Sequence, residues 1–257
     1  MRCALKAFGI AAPGLPGQAA ARSVLAGAAP YLPADETPYA PVLLPPNERR
    51  RATAAVRQAF RAAEDAVAGL EPGTLASVFA SSDADMAVLN RICTALAEPV
   101  RLISPTDFHN SVHNAASGYW SIAVQAMAPT TTIAAYDASF VAGLLEAAAL
   151  TRDLEEDILL VAYDAVAPAP LFDARPLTLN ASVALVLARD AGAPGTLSIE
   201  SGGESETPCA NAALEPLRRG NPALRALPLL ELVAAGRAGR VTLRGTGDSR
   251  VTLEFAP

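Results

Sequence analysis

The 257-residue chain is 51% hydrophobic and 18% charged, enough apolar material for one large core or two modest ones, which excludes a disordered chain. A formal charge of −6 argues against a nucleic-acid-binding protein, which needs clustered cations to displace phosphate counterions. So low a charged fraction leaves a bland surface and points to apolar area covered by a partner chain.

Cys3, Cys93 and Cys209 are widely spaced, with no CxxC pair and no histidine at ligand spacing, so neither a disulfide framework nor a structural zinc site is expected. Cys3 and Cys93 read as buried small hydrophobes. The N-terminus lacks a signal-peptide core, and no stretch reaches the roughly 20 apolar residues of a membrane helix. The expectation is a soluble cytoplasmic protein.

In chain order, Cys3 to Ile10 reads as a strand ending in the turn Gly14–Leu15–Pro16–Gly17, followed by a helix from Gln18 to Ala28 and a Pro-rich connection from Pro30 to Pro46. Asn47 is placed to cap a long helix whose stripe is Ala55, Val56, Ala59, Phe60, Ala63 and Val67, closed by Gly69 and Pro72. Leu75 to Ala80 is a buried strand, and Asp83 or Asp85 caps the helix Met86 to Leu96. A further helix is predicted from Asn110 to Met127, then a β-branched strand from Thr130 to Tyr136 leading at Asp137 into the helix Ser139 to Thr151. Beyond a charged turn over 153–157 come strands Ile158 to Tyr163, Ala181 to Ala188 and Thr196 to Glu200, the last two flanking a turn over 190–195. A polar loop from Gly202 to Cys209, a helix from Ala223 to Ala235 and a hairpin, Val241 to Leu243 with Val251 to Phe255, complete the chain. Strands apolar on both faces and alternating with helices imply an α/β or layered α/β/α fold with a mixed sheet. Neither GxSxG nor GxGxxG occurs, which disfavours serine-hydrolase and nucleotide-binding chemistry.

The junction Thr131–Thr132–Ile133–Ala134–Ala135–Tyr136–Asp137–Ala138–Ser139 sits where a strand meets the positive end of a helix, a place that favours an anion or a thiolate. It resembles the nucleophile elbow of β-ketoacyl synthases, with Asp137 where that family carries its acyl-accepting cysteine. The segment Ser104 to Trp120 resembles the loop and helix that pack near the family's subunit interface, Asp157 to Asp164 a core strand, and Asn47 to Arg51 a basic helix start. The similarity spans about Cys3 to Arg189, and its nearest match is the group of chain-length factors in aryl polyene-type type II polyketide clusters.

The resemblance implies a thiolase-like layered α/β/α fold, the N-terminal half essentially complete and the C-terminal half strongly shortened: one domain over 1–257, with a core to residue 189 and a short extension over 190–257. It also implies an active ketosynthase as heterodimer partner and an acyl carrier protein that brings its own phosphopantetheine, with no cofactor held by this chain. Two departures bear on activity. A carboxylate is a weak nucleophile towards a thioester, and both histidines, His109 and His113, precede the elbow instead of following it. The expected role is therefore a non-catalytic chain-length factor acting in polyene or fatty-acyl chain elongation. A thioester decarboxylase or hydrolase using Asp137, and a homodimeric scaffold, are the alternatives.

Asp137 is expected either to cap the following helix or to serve as a carboxylate base. His109 and His113, four residues apart, read as interface hydrogen-bonding groups with Asn110 and Asn114, or as a metal pair on one helical face. Tyr119 and Trp120, the latter the only tryptophan, read as interface anchors or as core, and Tyr136 and Phe140 as interface or tunnel residues. Arg49, Arg50 and Arg51 make either a phosphate contact or a solvated first turn.

Overall fold

A computed structural model of the chain describes every residue except Glu155, Ala191 and Ala193. The turns expected over 153–157 and 190–195 contain these positions and lie partly outside the described residues. Strand β1 (Arg2–Ala11) is followed by helices α1 (Gln18–Leu25), α2 (Pro46–Arg51) and α3 (Ala54–Ala66). Next come β2 (Ala76–Ala80), α4 (Met86–Ala97), α5 (Pro105–Asn110), α6 (Ala115–Val124), β3 (Thr130–Ile133), α7 (Ser139–Asp153) and β4 (Ile158–Asp164). The chain closes with β5 (Ala181–Arg189), β6 (Thr196–Ser201), α8 (Glu215–Gly220), α9 (Leu227–Ala235), β7 (Gly239–Arg244) and β8 (Arg250–Ala256).

The strands form one mixed sheet in the order β3-β2-β4-β5-β1-β6-β8-β7. β2 runs parallel to both β3 and β4, and every other pairing is antiparallel. Residues 190–257 contribute β6, β7 and β8, joined to the rest of the sheet through β1.

Strand side chains alternate between two cores, as period-2 geometry requires. Val78, Leu160 and Leu185 face Phe140 and Leu144 of α7, whereas Phe79, Leu159 and Val186 face Phe60 of α3 and Trp120 of α6. Both faces are thus covered, which is why β4 and β5 are mostly apolar and buried along nearly their whole length. Close approach needs glycine at two places: a Cβ on Gly9 would lie 2.1 Å from the Ala62 carbonyl oxygen on α3, and one on Gly143 would lie 2.8 Å from Leu160 on β4.

Local chemistry moves several predicted boundaries. The helix expected from Asn47 is two: Pro46 starts α2 at its first turn, Ala52 is extended, and Thr53 caps α3 by accepting a bond from the Val56 amide at 3.2 Å. The helix expected from Asn110 to Met127 also divides. Ser104 and Pro105 nucleate α5 upstream, and Gln125 in a left-handed conformation ends α6. Asp85 caps α4, accepting from the Val88 amide at 3.0 Å, and Asp83 does not. β3 stops at Ile133, α1 stops at Leu25, and residues 222–226 are a 3-10 turn ahead of α9. α8 was not foreseen.

Candidate functional site

The parallel strands β2, β3 and β4 end together, and ligand sites of α/β sheets collect at such carboxyl ends. After β3 the chain turns sharply. Tyr136 adopts φ 52°, a left-handed conformation unusual for a bulky residue, and residues 136–138 form a 3-10 turn into α7. Ser139 locks this elbow: its hydroxyl donates to the Tyr136 carbonyl at 2.7 Å and accepts from the Ala135 amide at 3.0 Å.

Asp137 does not cap α7 as expected. Its Oδ1 accepts from Nη1 of Arg175 at 2.8 Å, and α7 starts without a side-chain cap. The Arg175 side chain is 7% exposed, stacks 3.8 Å from the centre of the Tyr136 ring, and reaches within 4.0 Å of Asp83. Among the described residues Asp83 has no hydrogen-bond partner at either carboxylate oxygen. Burial raises its pKa against the lowering pull of Arg175. Asp164, the last residue of β4, is also buried, and Oδ1 accepts from the Ser81 hydroxyl, the Ser82 amide and the Ser82 hydroxyl at 2.7 to 2.9 Å. Burial, then the charge of Asp83, pushes its pKa up.

A pocket of about 390 Å³ opens beside the elbow, lined by Tyr136, Asp137, Ala138, Glu206, Arg225 and Arg244 together with the β7–β8 turn from Gly245 to Gly247. Glu206, Arg225 and Arg244 carry no sequence signal of a site. Arg175 sits in a proline-broken segment with no periodicity, and Asp164 was not singled out, although a carboxylate closing an apolar strand is a signal that could have found it.

The other expected site residues disperse. His109 is exposed on α5, edge-on to the Tyr119 ring at 5.9 Å, whereas His113 falls in the turn after α5, so no single helical face carries both. Among the described residues no group of three or more His, Cys, Asp or Glu is placed to hold a metal ion. Asn110 is buried and donates to the carbonyls of Arg51 and Thr106, tying α5 to α2. Asn114 is exposed, and its carbonyl accepts from the Ser117 hydroxyl. Tyr119, Trp120 and Phe140 lie in the chain's own cores, Trp120 edge-on to Phe60 at 5.3 Å, while Tyr136 is exposed. Arg50 and Arg51 are exposed, Arg51 pairing with Glu48. Cys93 is exposed on α4 instead of buried, and burial pushes the thiols of Cys3 and Cys209 up to about 12, far from a reactive thiolate.

Among the described residues β3 forms the edge of the sheet, paired only with β2. Around it in sequence, apolar side chains lack cover: nine of the sixteen exposed large hydrophobic residues among those described fall between Leu89 and Tyr136, including Leu102, Phe108 and Met127. α4, MAVLNRICTALA, buries only Val88. An apolar helix with one buried residue and an open strand edge are features by which interaction surfaces are recognised.

Residues 26–231 match the model of the β-ketoacyl synthase N-terminal domain. The chain belongs to the β-ketoacyl synthase family. No curated protein matches the sequence. Among solved structures, the chain resembles one chain of the complex of the ketosynthase ApeO with its chain length factor ApeC from Xenorhabdus doucetiae, with 22% identity, a TM-score of 0.75 and 99% of both chains covered. It also resembles the ishigamide ketosynthase/chain length factor, at 13% identity, a TM-score of 0.75 and 99% of both chains. A β-ketoacyl synthase from Burkholderia phymatum is similar at 13% identity and a TM-score of 0.68, again over 99% of each chain. The fold is the thiolase-like ketosynthase fold, with helices covering a mixed sheet. No helix among the described residues is long and apolar enough to cross a membrane.

Proposed function

We propose that this chain is a non-catalytic, chain-length-factor-like subunit that pairs with an active β-ketoacyl-acyl carrier protein synthase. The observation that carries the reading is the elbow itself: Asp137 occupies it and is held by Arg175, so no thiolate is available to take an acyl group. The open edge of β3 and the uncovered apolar side chains from Leu89 to Tyr136 supply a surface on which the partner docks. The partner's cysteine performs condensation. Acyl chains arrive on the phosphopantetheine of an acyl carrier protein, this chain needs no cofactor of its own, and its side chains near the elbow limit how far the product grows. The setting is cytoplasmic synthesis of polyene or fatty-acyl chains.

Co-expression with a ketosynthase encoded beside it, followed by light scattering and a condensation assay, tests the reading. A one-to-one complex that elongates acyl chains while neither subunit does so alone is the expected result. A stable homodimer indifferent to the ketosynthase would sink it in favour of a scaffold.

One observation favours a second reading. Glu206 lines the same pocket as Asp137, and paired carboxylates serve acid–base chemistry on thioesters. Both are engaged by arginines, Asp137 by Arg175 and Glu206 by Arg218, which spends lone pairs a base would need. Thioester turnover by the isolated chain that disappears in Asp137→Asn and Glu206→Gln would establish this activity.

A further inference from the structure

The pocket beside the elbow is unevenly charged. Asp137 is taken by Arg175, and Oε1 of Glu206 by Arg218, whose side chain is 4% exposed. Arg225, 18% exposed, is left with its Nη1 3.9 Å from that same glutamate oxygen, and among the described residues it donates no hydrogen bond. The side chain of Arg244, at the end of β7, has neither a hydrogen bond nor an ion pair among the described residues. Both line the pocket. A guanidinium carries five donors and cannot shed its charge, so withdrawing one from water with its donors unspent is costly until an acceptor arrives. Burial indeed opposes the charge on Arg225.

Tyr136 and Ala138 line the same pocket and offer apolar surface, and the volume of about 390 Å³ falls in the range of small-molecule sites. We infer that this pocket binds a small organic oxyanion, with Arg225 and Arg244 holding a phosphate or carboxylate and a short apolar body lying against Tyr136 and Ala138. The inference stands independently of the pairing role, because it concerns the isolated chain. Asp137 and Glu206 oppose the ligand's charge, and this fixes the sign of their variants.

Isothermal titration of the full chain with inorganic phosphate and, separately, with butyrate, at ionic strength held constant with chloride, tests it. Saturable binding of at least one probe is expected, and which one binds decides between a phosphate and a carboxylate ligand. Arg244→Ala, at an exposed position where folding is insensitive, should weaken binding about tenfold, the scale of one lost charge-assisted bond, and Arg225→Gln at least as much. Glu206→Gln should tighten binding several-fold, and Arg219→Ala, outside the pocket, should leave it unchanged. Failure of both probes to bind wild type, or equal affinity in wild type, Arg244→Ala and Arg225→Gln, overturns the proposal.

Discussion

Nη1 of Arg175 lies 2.8 Å from Oδ1 of Asp137, yet the two residues differ in burial: the arginine side chain is 7% exposed and the aspartate 51%. An ion pair with one half-exposed member contributes at most about 1 kcal/mol. The arginine also faces the buried carboxylate of Asp83, and removing it strands that group. Arg175→Met should therefore cost about 3 kcal/mol or more, while Asp137→Asn costs under about 1 kcal/mol. Urea denaturation of both variants checks this, and equal losses would show that Asp83 is not part of the arginine's role.

Asp164 gives a pH dependence of definite sign. Burial, then Asp83, raises its pKa from the ordinary 3.8 to about 7. Between those values the folded chain holds a proton that the unfolded chain has released, so this group favours folding at low pH and the contribution is lost as pH rises towards 7. Relative to Asp164→Asn, which keeps an acceptor for Ser81 and Ser82, wild-type stability should fall as pH rises from 4 towards 7. Parallel stability curves for the two proteins would refute it.

The layered fold was legible because periodicity reports burial: α3, α7 and β4 stand where their apolar patterns put them, within a few residues. Two helix boundaries were not legible. Pro105 starts α5 five residues ahead of the expected Asn110, since a proline at the first helical turn has no amide to lose, and the pattern from Asn47 is interrupted at Ala52 before Thr53 caps a second helix. Asp137 was legible as the elbow residue, but not its partner: Arg175 comes 38 residues later, from a segment without regular structure. Likewise, an arginine that lines a pocket has the same sequence appearance as one in solvent, so Arg225 and Arg244 emerge only once the β7–β8 turn is placed against the elbow.

Gly9 illustrates a constraint that sequence alone hid. A Cβ there meets the backbone of α3, the Ala62 oxygen at 2.1 Å and the Ala66 nitrogen at 2.8 Å, and backbone in a packed helix has little room to yield. Gly9→Ala should destabilise the chain by about 3 kcal/mol, the scale of overpacking at a tight contact. Gly118→Ala, where no atom lies within 4 Å of the added carbon, should be neutral or stabilising, as expected for alanine in a helix. Thermal melts of the two variants separate the cases.

The proposed docking of a partner on the exposed apolar side chains between Leu89 and Tyr136 predicts that folding and assembly part company. Leu102 and Met127 are 78% and 96% exposed, so a charge at either position disturbs no packing within the chain and should change stability by under about 0.5 kcal/mol. If these side chains are covered in a complex with a ketosynthase, Leu102→Asp and Met127→Asp place an unpaired carboxylate in an apolar contact and should weaken association by at least about tenfold. Leu32→Asp, at a side chain 70% exposed in the Pro-rich connection ahead of α2, serves as the control and should leave association intact. Sedimentation of each variant with the partner reads the outcome. Wild-type affinity in both Leu102→Asp and Met127→Asp would move the interface away from these side chains, whereas loss in those two with Leu32→Asp unaffected would place the partner against them.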